Sequence, residues 1–206
     1  MATAEALSLP RTKRDRQRLD TRELLFQLAI EEFRSKGAAA ARIRDIVESA
    51  GVVPGTFYFH FPTKDHVVFE LWQRNSHKLL ERLPPLGDDS KPPSVAEYLQ
   101  SLGDALLEIE LEVGDFELVR DSIAVALRPP AGTARPTSGL GDAVVTLLAG
   151  ALERGEIASE LDPPGLANVL LTSILGVLIT APEHPAERRR ELKRTIEFFL
   201  RALCRS

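Results

Sequence analysis

The sequence is poor in cysteine and in aromatic residues. Its 206 residues include one Cys, one Trp and two Tyr, and aromatic residues make up 6% of the chain. Cys204 is alone, which excludes a disulfide framework or a thiolate metal site within one chain. The four histidines show no metal-ligand spacing with carboxylates, and zinc-protease, nucleophile-elbow and phosphate-loop motifs are missing. We therefore expect no metal, no cofactor, no catalytic residue and no enzyme activity, in a reducing cytoplasm.

Long hydrophobic runs are also scarce. We find no apolar run of about 18 residues free of helix breakers, and the first residues lack the apolar stretch of a secretory signal, so no membrane span is expected. Apolar residues still make up 44% of the chain. Leu and Ala dominate them, which favours an all-α fold with a sizeable core.

Charge is divided unevenly along the chain, although the net charge is only −4. Residues 1–64 carry 11 Lys and Arg against 8 Asp and Glu, whereas residues 65–206 carry 15 against 22. A basic front and an acidic back suit a protein that presents one part to nucleic acid.

The segment 42–64, RIRDIVESAGVVPGTFYFHFPTK, predicts two short helices joined at Gly51. The first carries apolar residues at helical spacing, namely Ile43, Ile46, Val47 and Ala50. Gly51 tolerates the left-handed backbone that often ends a helix, and Pro54 suits the first position of the next helix because its ring presets φ. This arrangement predicts a helix-turn-helix, which indicates sequence-specific DNA binding.

The second helix of the pair spans barely two turns, so its neighbours must hold it in place. Phe57 and Phe61, four residues apart, form its predicted inward pair. Five residues are left wholly or partly outward: Gly55, Thr56, Tyr58, Phe59 and His60. Aromatic and polar groups on the exposed side of so short a helix indicate a binding partner.

The run from Gly51 to Asp65, GVVPGTFYFHFPTKD, resembles the TetR/AcrR-type transcriptional regulators, whose pattern is roughly AGVSxGTLYxHFxSKExL. The resemblance implies about nine helices: an N-terminal three-helix helix-turn-helix domain, then a larger α-helical ligand-binding and dimerisation domain. It also implies a ligand-responsive repressor that binds a palindromic double-stranded DNA operator as a homodimer and releases it on binding a small molecule.

The resemblance assigns roles to individual residues. Polar and charged groups fix the register on the DNA backbone, and those expected to contact phosphate are Tyr58, His60 and Lys64. Arg suits guanine, and Thr or an aromatic edge suits the thymine methyl group; the expected base-facing residues are Arg44, Pro54, Gly55, Thr56 and Phe59. An isolated Tyr-x-His would more simply be a half-buried cap and a core imidazole, but the complete register favours DNA contact.

Three positions depart from the family pattern. Arg42 stands where Ser or Thr usually caps the helix, and it can bind phosphate directly. Val53 replaces a Ser and loses a hydroxyl contact, and Val47 replaces a small Ala, which changes how closely the two helices approach. Val53, Pro54 and Phe59 together predict a reading face that contacts thymine methyl groups more than it hydrogen-bonds to bases.

The chain divides into a flexible basic arm over residues 1–19, the helix-turn-helix domain over 20–64 and an effector-binding and dimerisation domain over 65–206. Asp20 is the predicted N-cap of the first helix, with Glu23 three residues on. Ser94 and Glu97 have the same capping-box spacing at the start of the predicted fifth helix. The arm carries Arg11, Lys13, Arg14, Arg16 and Arg18. It is either a solvated tail or an additional contact to phosphates or the minor groove.

The last two predicted helices offer an assembly surface. The eighth is apolar around most of its circumference and the ninth carries one apolar stripe, so they form either the core of a monomer or a four-helix bundle with a twofold mate. A single two-turn reading helix covers few base pairs, which favours the dimer. The predicted interface residues are Leu170, Ile174, Leu178, Leu192, Ile196 and Phe199.

The resemblance also implies an effector pocket in the second domain, where a ligand shifts the population away from the DNA-competent state. Candidate lining residues are Trp72, Tyr98, Phe116 and Leu118, although apolar residues at helical spacing are more often core. Their apolar character indicates a hydrophobic small-molecule effector. The alternative from another class is an all-α ligand-binding or scaffold protein that retains the helix-turn-helix only as structure.

Overall fold

The structure, a computed structural model, describes residues 12–86, 92–133, 139–158, 162–180 and 184–203. Within these ranges nine α-helices follow one another: α1 Lys13–Lys36, α2 Ile43–Ala50, α3 Pro54–His60, α4 Lys64–Arg82, α5 Val95–Val113, α6 Phe116–Leu127, α7 Gly139–Glu153, α8 Pro163–Thr180 and α9 Pro185–Leu203. The chain divides into two compact units, Met1–Val67 and Val68–Ser206. The predicted all-α fold of about nine helices is confirmed.

Helix α1 begins earlier than the sequence analysis placed it. Its N-cap is Thr12, whose hydroxyl accepts the backbone N–H of Asp15, while the Asp15 carboxylate accepts the N–H of Thr12. Asp20 is therefore not an N-cap but an exposed residue inside the helix. The helix extends because this capping box is followed by Lys, Arg and Gln, all good helix formers. The part of the predicted arm from Lys13 onward is helical, and Arg11 lies outside the described residues.

The first unit is a small bundle in which α1 packs on α2 and α2 packs on α3. Leu25, Ala29 and Phe33 of α1 are buried, as are Ile46 and Val47 of α2. Phe57 and Phe61 are also fully enclosed, and their ring centroids lie 5.8 Å apart. The predicted inward pair is thus confirmed, and it supplies the packing that so short a helix as α3 requires.

The second unit is built around α5, α7, α8 and α9, with α6 packed on α5 and α8. The predicted capping box at the start of α5 is confirmed, since Ser94 Oγ accepts the N–H of Glu97 at 3.1 Å. Leu99, Leu102 and Leu148 lie at its centre with no more than trace exposure. Cys204 falls outside the described residues.

Helix α8 corrects the expectation about hydrophobic runs. Pro163–Thr180 is 18 residues long with a mean hydropathy of 1.6, enough by length and composition alone for a membrane span, yet only 28% of it is buried in the subunit. The sequence predicts this helix and its apolar character, but its prolines and glycines count as breakers of the apolar run. An apolar helix that its own subunit leaves largely uncovered has a face available for a partner.

Candidate nucleic-acid interface

The turn between α2 and α3 has the backbone that the sequence predicts. Gly51 adopts a left-handed conformation with φ 66° and ψ 30°, a region that favours glycine. The N–H of Val52 then bonds to the carbonyl of Val47 at 3.0 Å, which satisfies the end of α2. Pro54 opens α3, where its missing N–H leaves no helix bond unmade. The two helices are therefore joined by a turn that the local sequence specifies.

The outer side of α3 is unusually apolar. Val53 and Phe59 are each 69% exposed and Tyr58 is 52% exposed, although all three side chains are large and mainly apolar. Pro54 and Gly55 are exposed beside them, and Thr56 is half-buried. The predicted base-facing residues of α3, namely Pro54, Gly55, Thr56 and Phe59, thus lie on or beside one exposed surface. We call this surface the α3 face, and its exposed residues are Val53, Pro54, Gly55, Tyr58 and Phe59.

Gly55 has no structural reason to lack a side chain. A Cβ added there would meet no atom within 4 Å, and Gly55 is not among the glycines with positive φ. Within the described protein, therefore, nothing requires glycine at this helical position.

Two arginines of α1 lie beside α3, namely Arg18, which the sequence assigns to the basic arm, and Arg22, to which it assigns no role. The Arg18 guanidinium sits 5.6 Å from the centroid of the Phe59 ring, and that of Arg22 sits 4.6 Å from the Phe61 ring. Arg14, Arg18 and Arg22 are spaced four apart, which places them on one side of α1. The sequence contains this spacing, but it indicates a shared helix face only if Arg14 and Arg18 belong to the helix and not to a flexible arm.

His60 is held neutral at the C-terminal end of α3. Its ring is half-buried and lies 5.1 Å, centroid to centroid, from the Phe59 ring. Burial and then the positive charges of Arg22 and Arg18 lower the pKa of His60 below its ordinary value of 6.5. The lowered pKa favours the uncharged imidazole near pH 7.

The two predicted DNA-contacting arginines of α2 are exposed. Arg42 is the N-cap residue and makes no side-chain cap, as the sequence indicates. Arg44 Nε bonds to Glu48 Oε1 at 2.7 Å on the next turn, and this hydrogen bond raises the pKa of Arg44. The pair is well exposed on both sides, so solvent screens it and DNA can compete for the guanidinium.

Lys64, the remaining predicted phosphate contact, is engaged within the protein. Its Nζ donates to the carbonyl oxygens of Ala38 at 2.6 Å, Ala39 at 2.8 Å and Ala41 at 3.1 Å. These carbonyls belong to the connection between α1 and α2, whereas Lys64 opens α4 directly after α3. We call this arrangement the Lys64 clasp.

The second unit contains a small cavity that only one predicted pocket residue lines. The cavity has a volume of about 30 Å³, and its lining includes Trp72, Ser76, Ile109, Glu110, Val119 and Leu178. The predicted residues Tyr98 and Leu118 lie in the core instead, and burial raises the pKa of Tyr98 to about 12. The pattern could not separate these core positions from pocket positions, since both are apolar at helical spacing.

One wall of this cavity carries a buried ion pair. Arg188 of α9 donates to both carboxylate oxygens of Glu110, with the Nε to Oε2 distance at 3.0 Å. Its guanidinium also lies 3.7 Å from the centroid of the Phe116 ring, which gives that predicted pocket residue another role. Ser76 Oγ is buried and finds no hydrogen-bond partner among the described residues. The cavity is therefore mainly apolar with a few polar groups at its edge.

The six predicted interface residues are all buried inside their own subunit: Leu170, Ile174, Leu178, Leu192, Ile196 and Phe199. They belong to the core between α8, α9 and their neighbours. The exposed apolar residues of these helices are different ones, with Val169 at 45% and Phe198 at 68% exposure. Leu171, Leu175 and Ile179 of α8 are half-exposed. We call the parts of α8 and α9 that the subunit leaves uncovered the α8/α9 outer face; its apolar residues are Val169, Leu171, Leu175, Ile179 and Phe198.

Residues 25–71 match the family described as bacterial regulatory proteins, tetR family. The HTH-type transcriptional repressor KstR2 of Mycolicibacterium smegmatis is 35% identical over 72 residues, which cover 35% of each chain. The HTH-type transcriptional regulator CymR of Pseudomonas putida is 31% identical over 121 residues, 59% of this chain and 58% of the relative. The chain thus covers about a third to three fifths of these relatives' own length.

Solved structures resemble the fold over most of its length. Thermus thermophilus FadR, a TetR family transcriptional repressor in complex with lauroyl-CoA, matches with a TM-score of 0.71 at 22% identity, over 90% of this chain and 96% of that chain. SmeT, the repressor of the Stenotrophomonas maltophilia multidrug efflux pump SmeDEF, matches with a TM-score of 0.63 at 23% identity, over 91% and 93%. The N-terminal part of the chain is thus similar to the tetR family over residues 25–71, and the solved structures show that the fold as a whole is similar.

Proposed function

We propose that the chain is a ligand-responsive transcriptional repressor that binds a palindromic DNA operator as a homodimer. The α3 face carries this proposal, because a two-turn helix exposes Val53, Tyr58 and Phe59 although its own subunit gains nothing from their exposure. An exposed helix with aromatic and small residues suits insertion into the major groove, which admits an α-helix. A DNA-binding role also places the protein in the cytoplasm.

In the proposed complex the α3 face reads bases, except for Tyr58, which holds a phosphate together with the residues around the face. Gly55 permits close approach, Phe59 and Thr56 contact thymine methyl groups, and Arg44 reaches guanine after releasing Glu48. Tyr58, His60 and Arg42 hold the backbone, joined by Arg18 and Arg22 of α1. Pro54 and Val53 widen the apolar contact area. Lys64 is left out of these contacts because its ammonium group donates to carbonyl oxygens within the protein.

The test of DNA binding is a titration of DNA fragments that flank the gene, at several salt concentrations. A specific fragment is expected to bind with an affinity that falls steeply as salt rises, because phosphate contacts release counterions. Tyr58→Phe removes one uncharged phosphate donor without changing the ring, so it should weaken binding and leave the salt slope nearly unchanged, because no charge is removed. Failure of every fragment to bind, with the chain folded, would contradict the proposal.

The proposed dimer uses the α8/α9 outer face. Its apolar residues, Val169, Leu171, Leu175, Ile179 and Phe198, offer a second subunit the surface that the first leaves open. Gly176 of α8 adds room, since a Cβ there would meet no atom within 4 Å. Two copies related by a twofold axis double the number of base pairs read and match a palindromic site. A strictly monomeric mass at micromolar concentration would contradict this part.

The proposed effector site is the cavity beside Trp72 and Ser76. Its present volume of about 30 Å³ is far below the roughly 300–1,000 Å³ of small-molecule pockets, so binding requires side chains to move apart. The apolar lining supports a hydrophobic effector, and the unpartnered Ser76 hydroxyl supports one with a hydrogen-bonding group. Helix α4, which runs from Lys64 to Arg82, supplies both Trp72 and Ser76.

Effector binding is tested by heating the protein with matched lipophilic compounds that differ in one hydroxyl group. A compound that fits should raise the melting temperature and lower operator affinity, because it binds the DNA-incompetent state more tightly. Ser76→Ala should reduce the advantage of the hydroxyl compound over its matched partner. Compounds that stabilise the protein without changing operator affinity would contradict the regulatory role of the cavity.

A further inference from the structure

The Lys64 clasp uses the whole donor capacity of one ammonium group. An ammonium has three N–H donors, and the carbonyl oxygens of Ala38, Ala39 and Ala41 accept from Lys64 Nζ at 2.6, 2.8 and 3.1 Å. A phosphate oxygen would have to displace one of these carbonyls before it could accept a hydrogen bond. The side chain is only half-exposed, so such an exchange would also uncover a partly buried carbonyl.

The position of the clasp in the chain gives it a mechanical role. The three carbonyls lie in the connection that leads into α2, and Lys64 lies four residues after His60, at the end of α3. One side chain therefore joins the segment that enters the α2–α3 pair to the segment that leaves it, across 23 to 26 residues. Both ends of the DNA-reading pair are fixed at a single point.

We propose that Lys64 is a positioning residue that sets the orientation of α2 and α3, and that it is not a phosphate contact. This inference rests on the proposed DNA-binding function and replaces the role that the sequence resemblance implies for Lys64. The clasp holds α3 in the geometry in which the α3 face meets base edges. Without it, the pair still carries its charges but presents them at a variable angle.

The chemistry explains why lysine fits this position. A compact ammonium on a flexible stem directs three donors at carbonyls that converge from one turn, whereas the planar guanidinium of arginine has a fixed fork. Lys64→Arg therefore keeps the positive charge but not the convergent geometry. Lys64→Met keeps the apolar stem and removes the donors and the charge.

Lys36 provides a matched control in the same unit. Its Nζ bonds to Glu32 Oε1 at 2.7 Å and Asp45 Oδ2 at 2.9 Å, so it also links α1 to α2. These partners are carboxylates and the lysine is well exposed, so solvent screens the interaction. Lys36→Met removes one positive charge, as Lys64→Met does, without removing the clasp.

The experiment measures binding of the full chain to the DNA site that the wild type selects and to an unrelated DNA of equal length, across a salt series. It is run at a temperature at which circular dichroism shows every variant folded. We expect Lys64→Met and Lys64→Arg to bind the selected site at least tenfold more weakly, with non-specific affinity and the salt slope nearly unchanged. Lys36→Met should change the selected-site affinity by less than threefold.

A phosphate contact predicts a different pattern. The salt slope would fall by about 0.9 for each lysine removed, and Lys64→Arg would restore affinity because the charge is retained. Either result would overturn the proposal, and so would unchanged binding by both Lys64 variants. If Lys64→Met does not fold, Lys64→Arg decides between the two roles.

Amide hydrogen exchange without DNA provides an independent measurement. The clasp predicts faster exchange across residues 38–46 in both Lys64 variants than in the wild type, and no comparable change in Lys36→Met. Unchanged exchange would overturn the clasp whatever the DNA result. If the wild type bound no DNA, the proposed function would fail, while the exchange experiment would still test the clasp itself.

Discussion

The two units each carry a pair of neighbouring phenylalanines, one buried and one exposed. In α3, Phe57 is fully buried and Phe59 is 69% exposed; in α9, Phe199 is 8% exposed and Phe198 is 68% exposed. The sequence predicted the directions of the α3 pair, but it assigned Phe199 rather than Phe198 to an interface. In both helices a buried Phe lies close to an exposed one, and the exposed member lies on the surface for which we propose a partner.

The comparison also explains what the sequence could determine. Gly51 and Pro54 determine where α3 starts, and the spacing of the aromatic residues after them determines its inward side. A helix of only two turns could therefore be predicted from the sequence. Helices α8 and α9 carry apolar residues on inward and outward faces, and periodicity cannot say which face the subunit buries. The six residues predicted for the interface lie on the inward faces, which the subunit buries in its core.

Other differences have similarly local causes. The Asp20 start rests on its capping-box spacing to Glu23, but Thr12 and Asp15 form the actual capping box earlier in the chain. The Lys64 clasp joins residues more than 20 apart through backbone carbonyls, which leave no mark in a side-chain pattern. By contrast, the α5 capping box and the Gly51 turn are short-range features, and both were predicted correctly.

The largest expected effect separates the two members of the α9 pair. Phe199→Ala should lower the free energy of unfolding by about 3–5 kcal/mol, because it empties a core position. Phe198→Ala should leave the fold intact and shift the mass in solution from dimer towards monomer. Sedimentation at several concentrations and denaturant unfolding measure the two effects. Equal effects of both substitutions on assembly would remove the distinction.

The α3 pair should respond in the same way, with DNA in place of the second subunit. Phe57→Ala should lower the free energy of unfolding of the first unit by about 3–5 kcal/mol. Phe59→Ala should instead reduce operator affinity by roughly tenfold or more, with little change in stability. Circular dichroism and fluorescence anisotropy with labelled DNA measure these results. Normal operator affinity in Phe59→Ala would contradict a reading role for the α3 face.

A smaller effect is expected at Gly55, where stability and function should move in opposite directions. Gly55→Ala should stabilise the chain by about 0.5–1 kcal/mol, because Ala is favoured in helices and meets no atom. It should also weaken operator binding, since the new methyl group stands on the α3 face. Thermal melting and DNA titration measure the two effects. Stabilisation without loss of binding would contradict a close approach of DNA to Gly55.

The smallest effect concerns pH. The pKa of His60 is lowered in the folded protein, so its contribution to stability is present above pH 6.5 and is lost as pH falls through the lowered pKa. A nearby phosphate raises that pKa, so DNA binding should take up a proton and strengthen as pH falls from 7.5 towards 6. The change is limited because each subunit takes up at most one proton at His60.

His60→Asn should flatten this pH dependence of operator affinity. His77→Asn is the matched control, because His77 is an exposed histidine in α4 of the second unit. Anisotropy titrations at four pH values compare the two variants with the wild type. Parallel pH profiles for the wild type and His60→Asn would remove His60 from the phosphate contacts.

The central claim is that the α3 face reads DNA as a twofold pair. Selection of bound sites from a random double-stranded pool by the full chain tests it most directly. The account predicts enrichment of two inverted half-sites about one helical turn or a little more apart, with thymines at the positions that Phe59 and Thr56 contact, and altered preference at those positions in Phe59→Ala. No enrichment over the input pool by the folded chain would contradict it.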